Sequence, residues 1–166
     1  MKALIIGRFQ PLHNGHVSLI DYAIQHFDFL HIGIGSSQYH DTFENPYTNE
    51  QRQEMLKLYF SSQNYSSYAI HSIPDIHDPP NWVSHLTTII SDFEVVITNN
   101  TQTKTLFKQA GKNVICPGLQ NRQQLKGAFI RTCMLTHQPW EEFVPQSIIS
   151  YLKSLPITHS LPQPKH

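Results

Sequence analysis

Two histidines, His13 and His16, stand in the segment Gly7-Arg8-Phe9-Gln10-Pro11-Leu12-His13-Asn14-Gly15-His16, directly after a short apolar run. Three-residue spacing puts both imidazoles on one side of a helix's first turn. The free main-chain amides and the dipole at such a helix start favour an anion, and each imidazole adds hydrogen-bonding capacity for a phosphate oxygen. Gly7 lets a ligand approach the backbone closely, Pro11 stiffens the turn, and Arg8 brings positive charge to the same loop. An isolated His-x-x-His serves packing or capping more often than chemistry. Its position between a buried strand and a helix is what points here to phosphate binding.

The elements that must hold this loop alternate along the chain. Lys2 to Gly7 reads as a buried strand and Asn14 to Phe27 as a helix, with Val17, Leu19, Ile20, Ala23, Ile24 and Phe27 near helical spacing. Phe29 to Gly35 is a second strand, Ser36 to Thr48 a loop around Asn45-Pro46, and Asn49 to Ser61 a helix opened by the capping-box pattern Thr48-x-x-Gln51. Tyr68 to Ile73 is a third strand closed by Pro74, followed by a helix over Pro80 to Ser91 with proline in its first turn. Glu94 to Thr98, Gln102 to Ala110 and Asn113 to Cys116 continue as strand, helix and strand; helices follow over Gly127 to Thr136 and Pro145 to Leu155. Strand–helix alternation of this kind predicts an α/β fold, a Rossmann-like doubly wound parallel sheet with helices on both faces and a helical C-terminal part. Ligands of such sheets sit beyond the C-terminal strand ends, which singles out the loops after Gly7, Gly35, Pro74 and Thr98.

Composition narrows the partners. The 166 residues suit one domain over 1–155, with a proline-containing tail over 156–166 expected to be mobile. Twelve basic residues balance twelve acidic ones without a basic stripe, so neither nucleic acid nor a membrane surface is indicated. No apolar run reaches membrane-spanning length, and Met1-Lys2 leads straight into a strand without a signal-peptide stretch. Two cysteines, Cys116 and Cys133, give no disulfide framework, and a reducing cytoplasm is expected. Eleven histidines lack metal-ligand spacing, so no protein-held metal is expected and His26, His31, His71 and His137 read as ordinary packed or surface residues.

Gly7 to His16 resembles the signature of the HxGH nucleotidylyltransferases, and the longer likeness is to the archaeal-type nicotinamide mononucleotide adenylyltransferases. Ser36-Ser37-Gln38 through Glu44-Asn45-Pro46-Tyr47-Thr48 and Arg52 resembles that family's second motif. Ile73-Pro74-Asp75-Ile76 with Asn81-Trp82-Val83-Ser84-His85 resembles its third. Asn121-Arg122 and Gly127 to Arg131 fall where the family has its C-terminal phosphate motif, usually Ser-Gly-Thr-x-Ile-Arg; Lys126 and Ala128 here replace the Ser and Thr.

The resemblance implies an adenylyltransferase that joins ATP and nicotinamide mononucleotide to give NAD and pyrophosphate, with Mg²⁺ carried mainly by substrate phosphates, in a homo-oligomer. It implies catalytic roles for His13, His16, Arg8 and Arg131, with ATP held by Gly7, Arg8, Phe9, His13, Gly15, His16, Lys126, Gly127, Ile130 and Arg131. Trp82 would stack on the nicotinamide ring and Asn81 or nearby main chain would read its carboxamide. Arg52 would bind the mononucleotide phosphate, and Asn45 and Asp75 complete that site. For several of these a plainer role stands beside the functional one: core packing for Trp82, solvation for Arg52, turn capping for Asp75, and core or loop packing for Tyr47, Phe9 and Phe43. Two alternatives stay open: another acceptor such as phosphopantetheine or a CTP donor, and a nucleotide-binding sensor whose altered C-terminal motif no longer supports turnover.

Overall fold

The computed structural model describes residues 1–118, 126–155 and 157. Five parallel strands form one sheet in the order β3-β2-β1-β4-β5. They are β1 (Lys2–Gly7), β2 (Phe29–Gly35), β3 (Tyr68–Ile73), β4 (Val95–Ile97) and β5 (Asn113–Ile115). Between them run α1 (Asn14–His26), α2 (Asn49–Ser62), α3 (Pro79–Ile89) and α4 (Thr101–Gln109), and α5 (Gly127–Leu135) and α6 (Ile149–Ser154) follow.

Alternation along β1 explains the layering. Ala3 and Ile5 enter one core with Leu19, Ile20 and Ala23 of α1, Met55, Leu56 and Phe60 of α2, Ile130 of α5 and Leu152 of α6. Leu4 faces the opposite core, with Val83 and Leu86 of α3, Val96 of β4 and Phe107 of α4. A strand buried on both faces must be apolar throughout, as Ala3-Leu4-Ile5 is. Truncating side chains of this kind typically costs about 2–5 kcal/mol. The strand ends are therefore firmly held.

The chain leaves β1 for β2 on one side, then crosses from β3 to β4 on the other. The switch point lies between β1 and β4. Loops diverge there and open a crevice at the C-terminal strand ends.

Boundaries read from sequence shift where turns compete with helices. α3 begins at Pro79 rather than Pro80, and the C-terminal segment opens with 3-10 turns at Glu141–Phe143 and Gln146–Ile148 before α6. Asn121, Arg122 and the expected tail, residue 157 apart, lie outside the described residues.

Candidate active site

The crevice is a cavity of about 1000 Å³ whose wall includes Gly7, Arg8, His13, Gly15, His16, Ser36, Asp75, Trp82, Thr98 and Lys126. Cavities of that size stand at the upper end for small-molecule sites.

Capping and cavity lining fall to the same side chains. His13 is the N-cap of α1, and its Nδ1 accepts the Gly15 N–H at 3.1 Å. Nδ1 of His16 in turn accepts the His13 N–H at 3.3 Å. The two imidazoles form a capping box and stack with centroids 3.8 Å apart. An Nδ1 that accepts leaves the proton of a neutral imidazole on Nε2. Burial, followed by the Arg131 charge, lowers the pKa of His13 to about 4. Burial, followed by His13, holds His16 well below the usual imidazole range. Both rings are neutral near pH 7 and carry an Nε2–H donor. Gly7 makes room for this arrangement, since a Cβ there would lie 3.2 Å from His16 Nε2 and from the Phe9 ring.

The head of α5 is built around a second close approach. Arg131 is 5% exposed, and its Nη1 donates to the Gln10 carbonyl at 2.8 Å. A Cβ on Gly127 would come within 2.7 Å of that Nη1, so glycine is what admits the guanidinium. Its plane lies over Phe43 at 5.2 Å, and Nε has no partner among the described residues. Burial first, and the Arg8 charge second, lowers the Arg131 pKa. The two guanidinium charges repel, and an anion near both would offset that repulsion. Arg8 and Lys126 are exposed and line the cavity. Gly127 and Arg131, expected to hold ATP, are not part of that wall; the guanidinium ties the head of α5 to the Gln10 carbonyl instead.

The residues expected to hold the mononucleotide divide. Trp82, half-buried, lines the cavity and meets Phe107 edge-on at 5.8 Å, so it serves the core and the cavity wall together. Asp75 also lines the cavity while its Oδ1 accepts the His77 N–H at 2.9 Å. Asn81 turns to Asp78, donating to its Oδ2 at 2.7 Å. Asn45 donates its main-chain N–H to Thr42 Oγ1 at 3.0 Å, and neither asparagine is part of the cavity wall.

Arg52 requires a correction. It is 0% exposed and donates to six main-chain carbonyls. Nε reaches Thr48 at 3.2 Å, Nη1 reaches Arg8 at 3.1 Å and Gly35 at 3.0 Å, and Nη2 reaches Ser36, Ser37 and Tyr39 at 3.3, 3.1 and 3.4 Å. No N–H remains free for a phosphate. Arg52 is a clamp beneath the β1–α1 and β2–α2 loops. Burial lowers its pKa to about 10, with Arg8 adding to the fall and Glu50 opposing it.

Ile130 and Phe9 are likewise core residues: both side chains are fully buried, and the Ile130 N–H is taken by the Lys126 carbonyl at 3.2 Å. Tyr47 is buried as expected. Its main chain exchanges two hydrogen bonds with the Gln10 side chain, at 2.9 and 2.8 Å. His77, Asp78 and the run Thr98 to Thr103 line the cavity without having been singled out one by one. The switch-point rule had marked their loops.

The chain belongs to the cytidylyltransferase-like family, whose model matches residues 4–142. Among curated proteins it is similar to the nicotinamide-nucleotide adenylyltransferase of Thermococcus sibiricus, 34% identical over 157 residues that cover 93% of this chain and 84% of that one. It is similar also to that of Picrophilus torridus, 35% identical over 148 residues covering 89% and 88%. A bifunctional NMN adenylyltransferase/ADP ribose pyrophosphatase from Francisella tularensis, crystallised with AMP and a manganese ion, has a TM-score of 0.69 at 18% identity. This chain spans 44% of that one, and 86% of its own length is covered. At such identity the likeness is one of fold.

Proposed function

We infer that the chain is a nicotinamide-nucleotide adenylyltransferase, joining ATP to nicotinamide mononucleotide with release of pyrophosphate and formation of NAD. The observation that carries this reading is the convergence of His13, His16, Arg8, Lys126 and Trp82 on one cavity at the β1/β4 switch point. The named relatives are nicotinamide-nucleotide adenylyltransferases, which supports the same reading for this chain.

The chemistry asks little of a general base, because the acceptor phosphate is already ionised at neutral pH. One of its oxygens bonds to the α-phosphorus of ATP as the bond to the bridging oxygen breaks, and the electron pair leaves with pyrophosphate. Holding two anions in line and stabilising the departing charge supply the rate. Neutral His13 and His16 each offer Nε2–H toward phosphate oxygens without the cost of holding a buried cation. Arg8 and Lys126 supply positive charge from the cavity rim, and Arg131 from behind it.

A divalent cation, magnesium on our reading, enters as part of the nucleotide substrate. The cavity wall offers Asp75 and Asp78 as carboxylates, and among the described residues no three His, Cys, Asp or Glu side chains gather to hold an ion. Phosphate oxygens and water fit that ion better than this donor set does. No helix among the described residues is long and apolar enough to cross a membrane. We place the protein in the cytoplasm, as a homo-oligomer, with residues 1–155 as the catalytic domain.

Incubation of the purified protein with Mg-ATP and nicotinamide mononucleotide, resolved by chromatography, is expected to yield NAD and pyrophosphate. Absence of dinucleotide across pH and divalent metals overturns the assignment.

A further inference from the structure

Charge around the cavity is divided by element. Arg8 comes from the β1–α1 loop and Lys126 from the head of α5. Asp75 and Asp78 come from the segment between β3 and α3, with Trp82 on the first turn of α3. Both carboxylates are held in place: Asp75 Oδ1 by the His77 N–H at 2.9 Å, Asp78 Oδ2 by Asn81 Nδ2 at 2.7 Å. The Gln38 side chain pins the Asp75 main chain from both sides, accepting its N–H and donating to its carbonyl at 2.9 Å each. His77, between the two aspartates, hydrogen-bonds the Tyr39 hydroxyl. Among the described residues neither aspartate forms an ion pair with lysine or arginine. The aromatic wall of the cavity is therefore flanked by two anchored carboxylates without a cationic partner.

We propose that Asp75 and Asp78 make this end of the cavity selective for a mononucleotide whose ring bears an uncharged carboxamide, against its carboxylate counterpart. The proposal rests on the reading of Trp82 as the seat of the pyridine ring. In both mononucleotides the ring nitrogen is cationic, so attraction to the aspartates is common to the two. Only the nicotinate form adds an anion. Two like charges about 6 Å apart repel by roughly threefold to a hundredfold in binding, as the effective dielectric runs from that of water to that of a protein surface. Preorganisation matters here, because an anchored carboxylate cannot swing away from the approaching anion. An aspartate free to rotate would yield much of the discrimination.

The test is a ratio. With Mg-ATP saturating, kcat/KM is measured for nicotinamide and nicotinate mononucleotide in the wild type, Asp75→Asn, Asp78→Asn and the double variant. Asparagine keeps one side-chain oxygen, which can accept from the His77 N–H at position 75 and, with the amide turned, from Asn81 Nδ2 at position 78, and thermal unfolding verifies that the variants are folded. Because the ring cation is shared, the ratio isolates the added carboxylate. Calorimetric titration of each mononucleotide reads the same preference without turnover.

The wild type is expected to favour the amide at least about tenfold, and the double variant to lose most of that preference, chiefly by gaining on nicotinate mononucleotide. Raising ionic strength is expected to narrow the wild-type gap. A folded double variant with an unchanged ratio overturns the proposal, as does an active wild type that shows no preference. Amide-selective binding that the double variant loses, in a protein without turnover, upholds the proposal and sinks adenylyl transfer instead.

Discussion

Replacing Arg52 by lysine keeps the charge and removes the fork, which separates a clamp from a phosphate ligand. Arginine offers five N–H donors, and here they serve six carbonyls from two loops and the head of α2. An ammonium group has three N–H bonds and no plane. At least three carbonyls then lose their donor. A buried acceptor left unpaired costs about 1–3 kcal/mol, and water reaching the loop ends offsets part of that, so the net loss is about 3–5 kcal/mol. Whole-domain stability is roughly 5–15 kcal/mol. For a chain of this length 1 kcal/mol moves Tm by roughly 2–4 °C, so Arg52→Lys should lower Tm by roughly 6–20 °C. Since the clamp fastens the Arg8 carbonyl and the Gly35–Ser37 carbonyls alike, KM should rise for both substrates. Calorimetry and steady-state kinetics on one preparation decide. A Tm within about 2 °C of wild type, with KM raised for the mononucleotide alone, refutes the clamp and restores Arg52 as a phosphate ligand.

His16→Ala is expected to lower kcat by about 10²–10³ while ATP affinity changes less, because its donor acts on charge that moves in the transition state. Trp82→Ala should chiefly raise the mononucleotide KM; equal and small effects of the two changes would contradict the division of roles. Lys126→Ser should raise the ATP KM roughly tenfold or more, since a hydrogen bond to a charged group is worth about 1.5–3 kcal/mol, and adding Ala128→Thr should recover much of it. Unaltered ATP kinetics in Lys126→Ser would make that lysine a bystander. His13 has its pKa lowered from 6.5 to about 4 by burial, so the unfolded chain takes up its proton first as pH falls. Its contribution is complete above pH 6.5 and is lost toward pH 4, amounting to roughly 3 kcal/mol. Denaturant midpoints should fall over that window and fall less in His13→Asn, and parallel curves would remove His13 as the cause.

The fold was legible where local chemistry punctuates the chain. Lys2–Gly7, Phe29–Gly35 and Tyr68–Ile73 are short apolar runs stopped by glycine or proline, and their ends agree with the structure. The Thr48–Gln51 capping box needs only four residues to be recognised, and it forms. Arg52 shows the opposite case. In a helix's first turn it resembles any solvated arginine, and nothing local reveals that carbonyls as distant as Arg8 converge on it. Ile130 differs for a related reason: its place in a phosphate-motif pattern does not reveal that its side chain is fully buried in the core. Thr98 to Thr103 carry no signature of their own, so only sheet order brings them to the cavity.

The paired hydrogen bonds between Gln10 and Tyr47 lie buried between the loop that carries the histidines and the segment that leads into α2. A two-point rung of this sort leaves the loops little freedom to shift independently. Gln10→Ala would leave the Tyr47 main-chain N–H and carbonyl without these partners and release the histidine loop from the segment leading into α2. One side chain thus sets the spacing of the two loops.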